Sequence, residues 1–159
     1  MVKGQKETFG ILEGCIKPDA RYIWFHAASL GEFEQGRPLI EEIRKRYPQY
    51  KILQTFFSPS GYEVRKDYKG ADVVCYLPFD TPGNVRCFLD LAHPCMAFFI
   101  KYEFWQNYLT ELSRRRIPVY SVSSIFRPDQ VFFKWYGRSY RNVLSCFDHL
   151  LCTECSSSE

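Results

Sequence analysis

The chain has no apolar run approaching the ~20 residues that a membrane-spanning helix needs. It has no glycine-rich phosphate loop either. Neither a GxGxxG turn nor a Walker A segment occurs, which argues against a standard dinucleotide site. Neither acidic nor basic residues dominate. With 21 basic and 18 acidic residues the net charge is +3, too small to argue for nucleic acid but compatible with an anionic ligand or membrane face. Val2 to Lys17 is polar and holds no apolar core, so it does not read as a signal peptide. Cys152-Thr153-Glu154-Cys155 is a lone C-x-x-C with no second pair, so a metal site is not expected. No cofactor is called for. His26 and His149 stand at strand ends, where packing or hydrogen bonding suits them better than catalysis.

What is present is an ordinary globular composition rich in rings. Of 159 residues, 46% are hydrophobic, 25% charged and 18% aromatic, which suits one folded domain. The cysteines number seven, an odd count, and several fall inside apolar runs. Buried free thiols fit that pattern better than a disulfide framework.

Strand and helix signals alternate along the chain. Strands are predicted over 22–27, 51–57, 71–77, 96–100, 117–122 and 149–152. Helices are predicted over 31–47, from Pro59, over 82–91 with Thr81 as N-cap, and over 104–116. Pro38 predicts a kink or a break in the first of these. Residues 128–146 are expected to be helical in two pieces around Gly137, and 2–17 are assigned no element. The fold class expected is α/β: a Rossmann-like parallel sheet of about six strands with helices on both faces. In such a sheet every loop after a strand emerges on one edge. Ser29 and Glu32, Ser58 and Ser60, Asp80, Glu103, and Ser123 with Ser124 are therefore expected to share one rim.

Two carboxylates stand out on that rim. In Ile23-Trp24-Phe25-His26-Ala27-Ala28-Ser29-Leu30-Gly31-Glu32 an apolar strand ends in a small-residue turn, and a carboxylate opens the next helix. One reading is a capping box, with Ser29 accepting from the helix and Glu32 reaching back. The other is a general base at a ligand cleft. A helix N-terminus favours the ionised carboxylate and so weakens it as a base, whereas a second carboxylate or a desolvated pocket pushes the other way. Glu103, in Lys101-Tyr102-Glu103-Phe104-Trp105-Gln106-Asn107, is the candidate second carboxylate, unless it simply pairs with Lys101. Ser58-Pro59-Ser60-Gly61 offers hydroxyls and backbone donors at a helix start, either as a plain N-cap or as an anion site. Residues 126–141 interleave basic and aromatic side chains. They form either an amphipathic helix with buried rings or a surface for an anionic lipid.

Together these segments, with Tyr76-Leu77-Pro78-Phe79-Asp80 and Arg116-Ile117-Pro118-Val119, resemble the 3-deoxy-D-manno-octulosonic acid (Kdo) transferase family from about Gly10 to Glu154. The chain departs from the family pattern at Lys101, where many members lack a basic residue, and at Gln106, where Pro is common. The resemblance implies the N-terminal, acceptor-binding half of a GT-B glycosyltransferase, with residues 1–155 as one domain and 156–159 as a tail. A membrane-anchor helix and the C-terminal domain that holds the CMP-Kdo donor would then be missing. Carried over, Glu32 matches the base that deprotonates a lipid A precursor hydroxyl, and Glu103 matches a transition-state position. Ser29, Gly31, Ser58, Ser60, Gly61, Lys101 and Asn107 are the expected substrate contacts. The implied partners are the lipid A precursor, CMP-Kdo and the inner membrane at its cytoplasmic face, with no nucleic acid. The alternative is a non-catalytic module that binds an anionic lipid surface through residues 126–141.

Overall fold

The structure is a computed structural model and describes residues 2–100, 105–122 and 149–151. Its element order is α1 (Val2–Cys15), β1 (Tyr22–Ala27), α2 (Leu30–Arg46), β2 (Lys51–Phe56), α3 (Pro59–Arg65), β3 (Val73–Tyr76), α4 (Pro82–Ala92), β4 (Pro94–Ile100), α5 (Gln106–Arg114), β5 (Val119–Val122) and β6 (His149–Leu151). The strands form one six-stranded sheet in the order β3-β2-β1-β4-β5-β6. Every pairing is parallel. This is the Rossmann-like sheet the sequence predicts. The order turns back between β1 and β4, so the crevice at their carboxyl ends is the switch point where such sheets hold ligands.

Burial explains the central strand. All six residues of β1 are buried, because helices cover both faces of the sheet. Trp24, Leu53, Cys75, Phe88, Phe99 and Tyr108 build one core. Ile23, Phe25, Phe33, Ile40, Phe56 and Ile100 build the other. The α2 helix lies so close to β4 that a Cβ on Gly36 would stand 2.1 Å from Ile100 Cδ1.

Two expectations are corrected. Pro38 does not split α2, which runs as one helix of 17 residues. Pro38 is exposed, so the backbone bond it forfeits falls on the solvated side, where water replaces it. Within the polar segment 2–17, given no element, Val2–Cys15 forms helix α1. Its inward face is Gln5, Thr8 and Leu12, and Thr8 Oγ1 donates to the Tyr76 carbonyl at 2.8 Å. The spacing is helical, but two of these three inward residues are polar, which hid the signal. The expectation of buried thiols holds for Cys75, whereas Cys15 and Cys87 are exposed. Among the described residues no helix is long and apolar enough to cross a membrane. The helix expected over 128–146 and the surface expected over 126–141 lie outside the described residues.

Candidate functional site at the carboxyl edge of the sheet

The turn after β1 has the geometry of a reciprocal cap. Ser29 is the N-cap of α2 in extended conformation, and its Oγ accepts from the Glu32 amide at a long 3.5 Å. Glu32 Oε2 accepts from the Ala28 amide at 2.7 Å. The capping reading is therefore present in fact. It also fixes the direction of a half-buried carboxylate at the end of the central strand. Gly31, in the same turn, is exposed, and a Cβ there would meet no described atom within 4 Å.

The turn after β2 is tied to this one. The Ser58 amide donates to the Ala28 carbonyl at 2.8 Å. Ser58 caps α3, its Oγ accepting from the Ser60 amide at 3.1 Å and lying 2.6 Å from Ser60 Oγ. Gly61 is required by packing. A Cβ there would stand 2.3 Å from Phe56 Cδ1 and 3.2 Å from the Leu30 amide nitrogen. The starts of α2 and α3 can approach only because that atom is missing.

The turn after β3 holds the start of α5. The N-cap of that helix, Trp105, makes no side-chain capping bond. Asp80 supplies the cap from a distance. Its Oδ2 and Oδ1 accept from the amides of Asn107 (3.2 Å) and Tyr108 (3.1 Å), and its carbonyl accepts from Asn107 Nδ2 at 2.8 Å. Burial pushes the Asp80 carboxyl above its usual range, and these donors offset part of the shift. Tyr108 is buried and donates its hydroxyl to the Pro78 carbonyl at 2.9 Å, and burial pushes its pKa up. Asn107, expected as a substrate contact, thus has both its backbone and side-chain donors engaged by Asp80.

Beneath the rim lies a polar network that sequence reasoning missed. Thr55 Oγ1 accepts from Trp24 Nε1 at 2.8 Å and sits 2.9 Å from His26 Nδ1. The Phe25 carbonyl is farther from that hydroxyl, at 3.4 Å. Thr55 Oγ1 thus gathers Trp24, His26 and the Phe25 carbonyl into one buried polar cluster. The available signal was Gln54-Thr55 between the apolar Ile52-Leu53 and Phe56 of β2. From His26 a row of rings runs along the edge: Trp105 at 5.6 Å, then Phe57 at 5.0 Å, then Phe79 at 6.1 Å.

The structure therefore brings Ser29, Gly31, Glu32, Ser58, Ser60, Gly61, Asp80 and Asn107 to one edge. Glu103, Lys101, Ser123 and Ser124 lie outside the described residues.

Comparison with known proteins adds to this geometry. Residues 3–159 match the family model described as 3-deoxy-D-manno-octulosonic-acid transferase (kdotransferase). A 3-deoxy-D-manno-octulosonic acid transferase of Haemophilus influenzae is 33% identical over 113 residues, covering 70% of this chain and 26% of that protein. One from Aquifex aeolicus is 30% identical over 106 residues (65% and 29%), and one from Bordetella pertussis 28% over 141 residues (84% and 32%). The matched region is about a quarter to a third of the length of these relatives. With the family model matching along nearly its whole length, the chain belongs to the 3-deoxy-D-manno-octulosonic-acid transferase family of glycosyltransferases.

Proposed function

We propose that this chain is the acceptor-binding half, residues 1–155, of an inverting glycosyltransferase that moves Kdo from CMP-Kdo to a hydroxyl of a lipid A precursor. Glu32 is the general base. It takes the proton of the acceptor hydroxyl as that oxygen attacks the anomeric carbon of Kdo and cytidine monophosphate leaves with the bonding pair. The observation that carries this reading is the placement of Glu32. It is a half-buried carboxylate, aimed by its bond to the Ala28 amide, at the switch point of a parallel sheet. Gly31 supports it, since an exposed glycine in a first helical turn with no described neighbour leaves room for a ligand.

Glu103 is proposed as the second carboxylate, orienting the acceptor or favouring positive charge at the anomeric centre. Ser29, Ser58, Ser60 and Lys101 line the acceptor site. The donor nucleotide is held by a C-terminal domain of the full-length protein. The protein works at the cytoplasmic face of the inner membrane.

The capping role of Glu32 dictates the choice of test. In the full-length protein, Glu32→Gln keeps an oxygen for the Ala28 amide, because glutamine serves in a capping box, but it removes the base. Transfer is expected to fall by about 10²–10⁴-fold while the melting temperature holds. Parental turnover in Glu32→Gln overturns the assignment.

A further inference from the structure

Gly61 has no backbone reason to be glycine. It lies inside α3, and its φ is not positive. Alanine is the better residue at a helical position, so glycine here weakens α3. Gly61 is also buried, so it does not itself meet a substrate. What it provides is proximity. A Cβ at this position would stand 2.3 Å from Phe56 Cδ1 and 3.2 Å from the Leu30 nitrogen. Restoring ordinary contact, which begins at 3.4 Å, would set α3 back by about 1 Å.

That approach bears on Glu32 through the backbone of its turn. The parallel pairing of β1 with β2 ends at Ala27 and Phe56. Beyond it the Ser58 amide donates to the Ala28 carbonyl at 2.8 Å, and the Ala28 amide donates to Glu32 Oε2 at 2.7 Å. Leu30, on which Gly61 packs, is the first residue of α2, two positions before Glu32. The start of α3 therefore meets the Glu32 turn at two backbone points, the Ala28 carbonyl and the Leu30 nitrogen.

We infer that the first turn of α3 aims the Glu32 carboxylate, and that Gly61 is a positioning residue for it. Its effect on transfer rests on the reading of Glu32 as the base. Retreat of α3 draws Ser58 away from Ala28, and the amide that holds Glu32 Oε2 moves with it. A base must lie within hydrogen-bond reach of the hydroxyl it deprotonates, so a shift of about 1 Å acts on chemistry more than on binding.

The test uses the full-length protein and two readouts, steady-state transfer and hydrogen exchange of the Ala28 amide relative to that of Phe25. Gly61→Ala is expected to lower kcat by about 10–100-fold with KM changed by less than about threefold, and to speed Ala28 exchange at least about tenfold. Phe88→Leu, which leaves a cavity in the other core, controls for lost stability and should keep both readouts within about twofold of the parent. Should Gly61→Ala not fold, Ser58 supplies a second comparison. Ser58→Ala keeps the amide that bonds Ala28 and Ser58→Pro removes it, so the proline variant should fall at least about tenfold further in kcat and exchange faster at Ala28. A Gly61→Ala protein no different from Phe88→Leu, or equal behaviour of the two Ser58 variants, overturns the inference. Exchange involves no sugar transfer, so the two readings fail separately. An active Glu32→Gln protein refutes the base, whereas an inactive one beside an unchanged Gly61→Ala refutes only the positioning.

Discussion

Asp80→Ala is the most quantitative perturbation the structure offers. Helix α5 begins at Gln106 without a side-chain cap of its own, and the Asp80 carboxylate accepts from the amides of Asn107 and Tyr108. Losing an acceptor costs about 1 kcal/mol per hydrogen bond, so Asp80→Ala should cost about 2 kcal/mol. That agrees with the upper range for removing an N-cap side chain. For a domain of this size the change corresponds to a fall of about 4–8 °C in melting temperature. Asp80→Asn keeps one carbonyl oxygen and should lose about half as much. Ionisation of Asp80 itself costs stability, because burial holds the carboxyl above its usual value. The sign of the pH dependence follows. The folded state keeps its proton to a higher pH than the unfolded state, so stability contributed at this site falls as pH rises from 3.8 through the raised folded value. Thermal melts of the parent, Asp80→Ala and Asp80→Asn at several pH values from 3.5 to 7 check both points. An Asp80→Ala chain that melts within about 1 °C of the parent, or a parent pH slope that persists in Asp80→Asn, refutes the reasoning.

Two neighbouring glycines should respond with opposite sign. Gly61→Ala drives a methyl into the Phe56 ring and toward the Leu30 amide and should destabilise by about 1–3 kcal/mol. Gly31→Ala adds a methyl in open space within a helix and should stabilise by about 0.5 kcal/mol while lowering transfer in the full-length protein. Denaturant unfolding measures the pair, and like signs would contradict the packing described. Glu111 provides an acid limb. Its hydrogen bonds from Arg114 and then Arg115 hold its pKa down to about 2, so the stability it contributes is complete above 4.5 and is lost as pH falls from 4.5 toward 2. Arg114 is largely exposed, so the effect should be small and should shrink in high salt. An Arg114→Ala variant with an unchanged acid limb argues against it.

Much of this architecture is local and was legible in one dimension. Tyr22–Ala27 is apolar except for His26 because the strand is covered on both faces, and such a run needs no partner to be seen. Ser29, Ser58 and Thr81 cap the helices that follow them, since an N-cap acts within three residues. From the strand–helix alternation came the parallel sheet, and from that came the shared edge with Glu32 on it. Other features arise only when distant residues meet. Asp80 and Asn107 are 27 positions apart, and nothing near Trp105 announces that its helix is capped from the turn after β3. Thr55 gathers Trp24 and His26 across 31 and 29 positions, so its role appears only with the strand register. Helix α1 was hidden because its inward face mixes Leu12 with Gln5 and Thr8, which become buried only once β3 and α4 provide a surface. Sequence by itself determined where backbone hydrogen bonds close over short range. Tertiary structure decided which polar groups lose water, and so which of them need a partner from elsewhere in the chain.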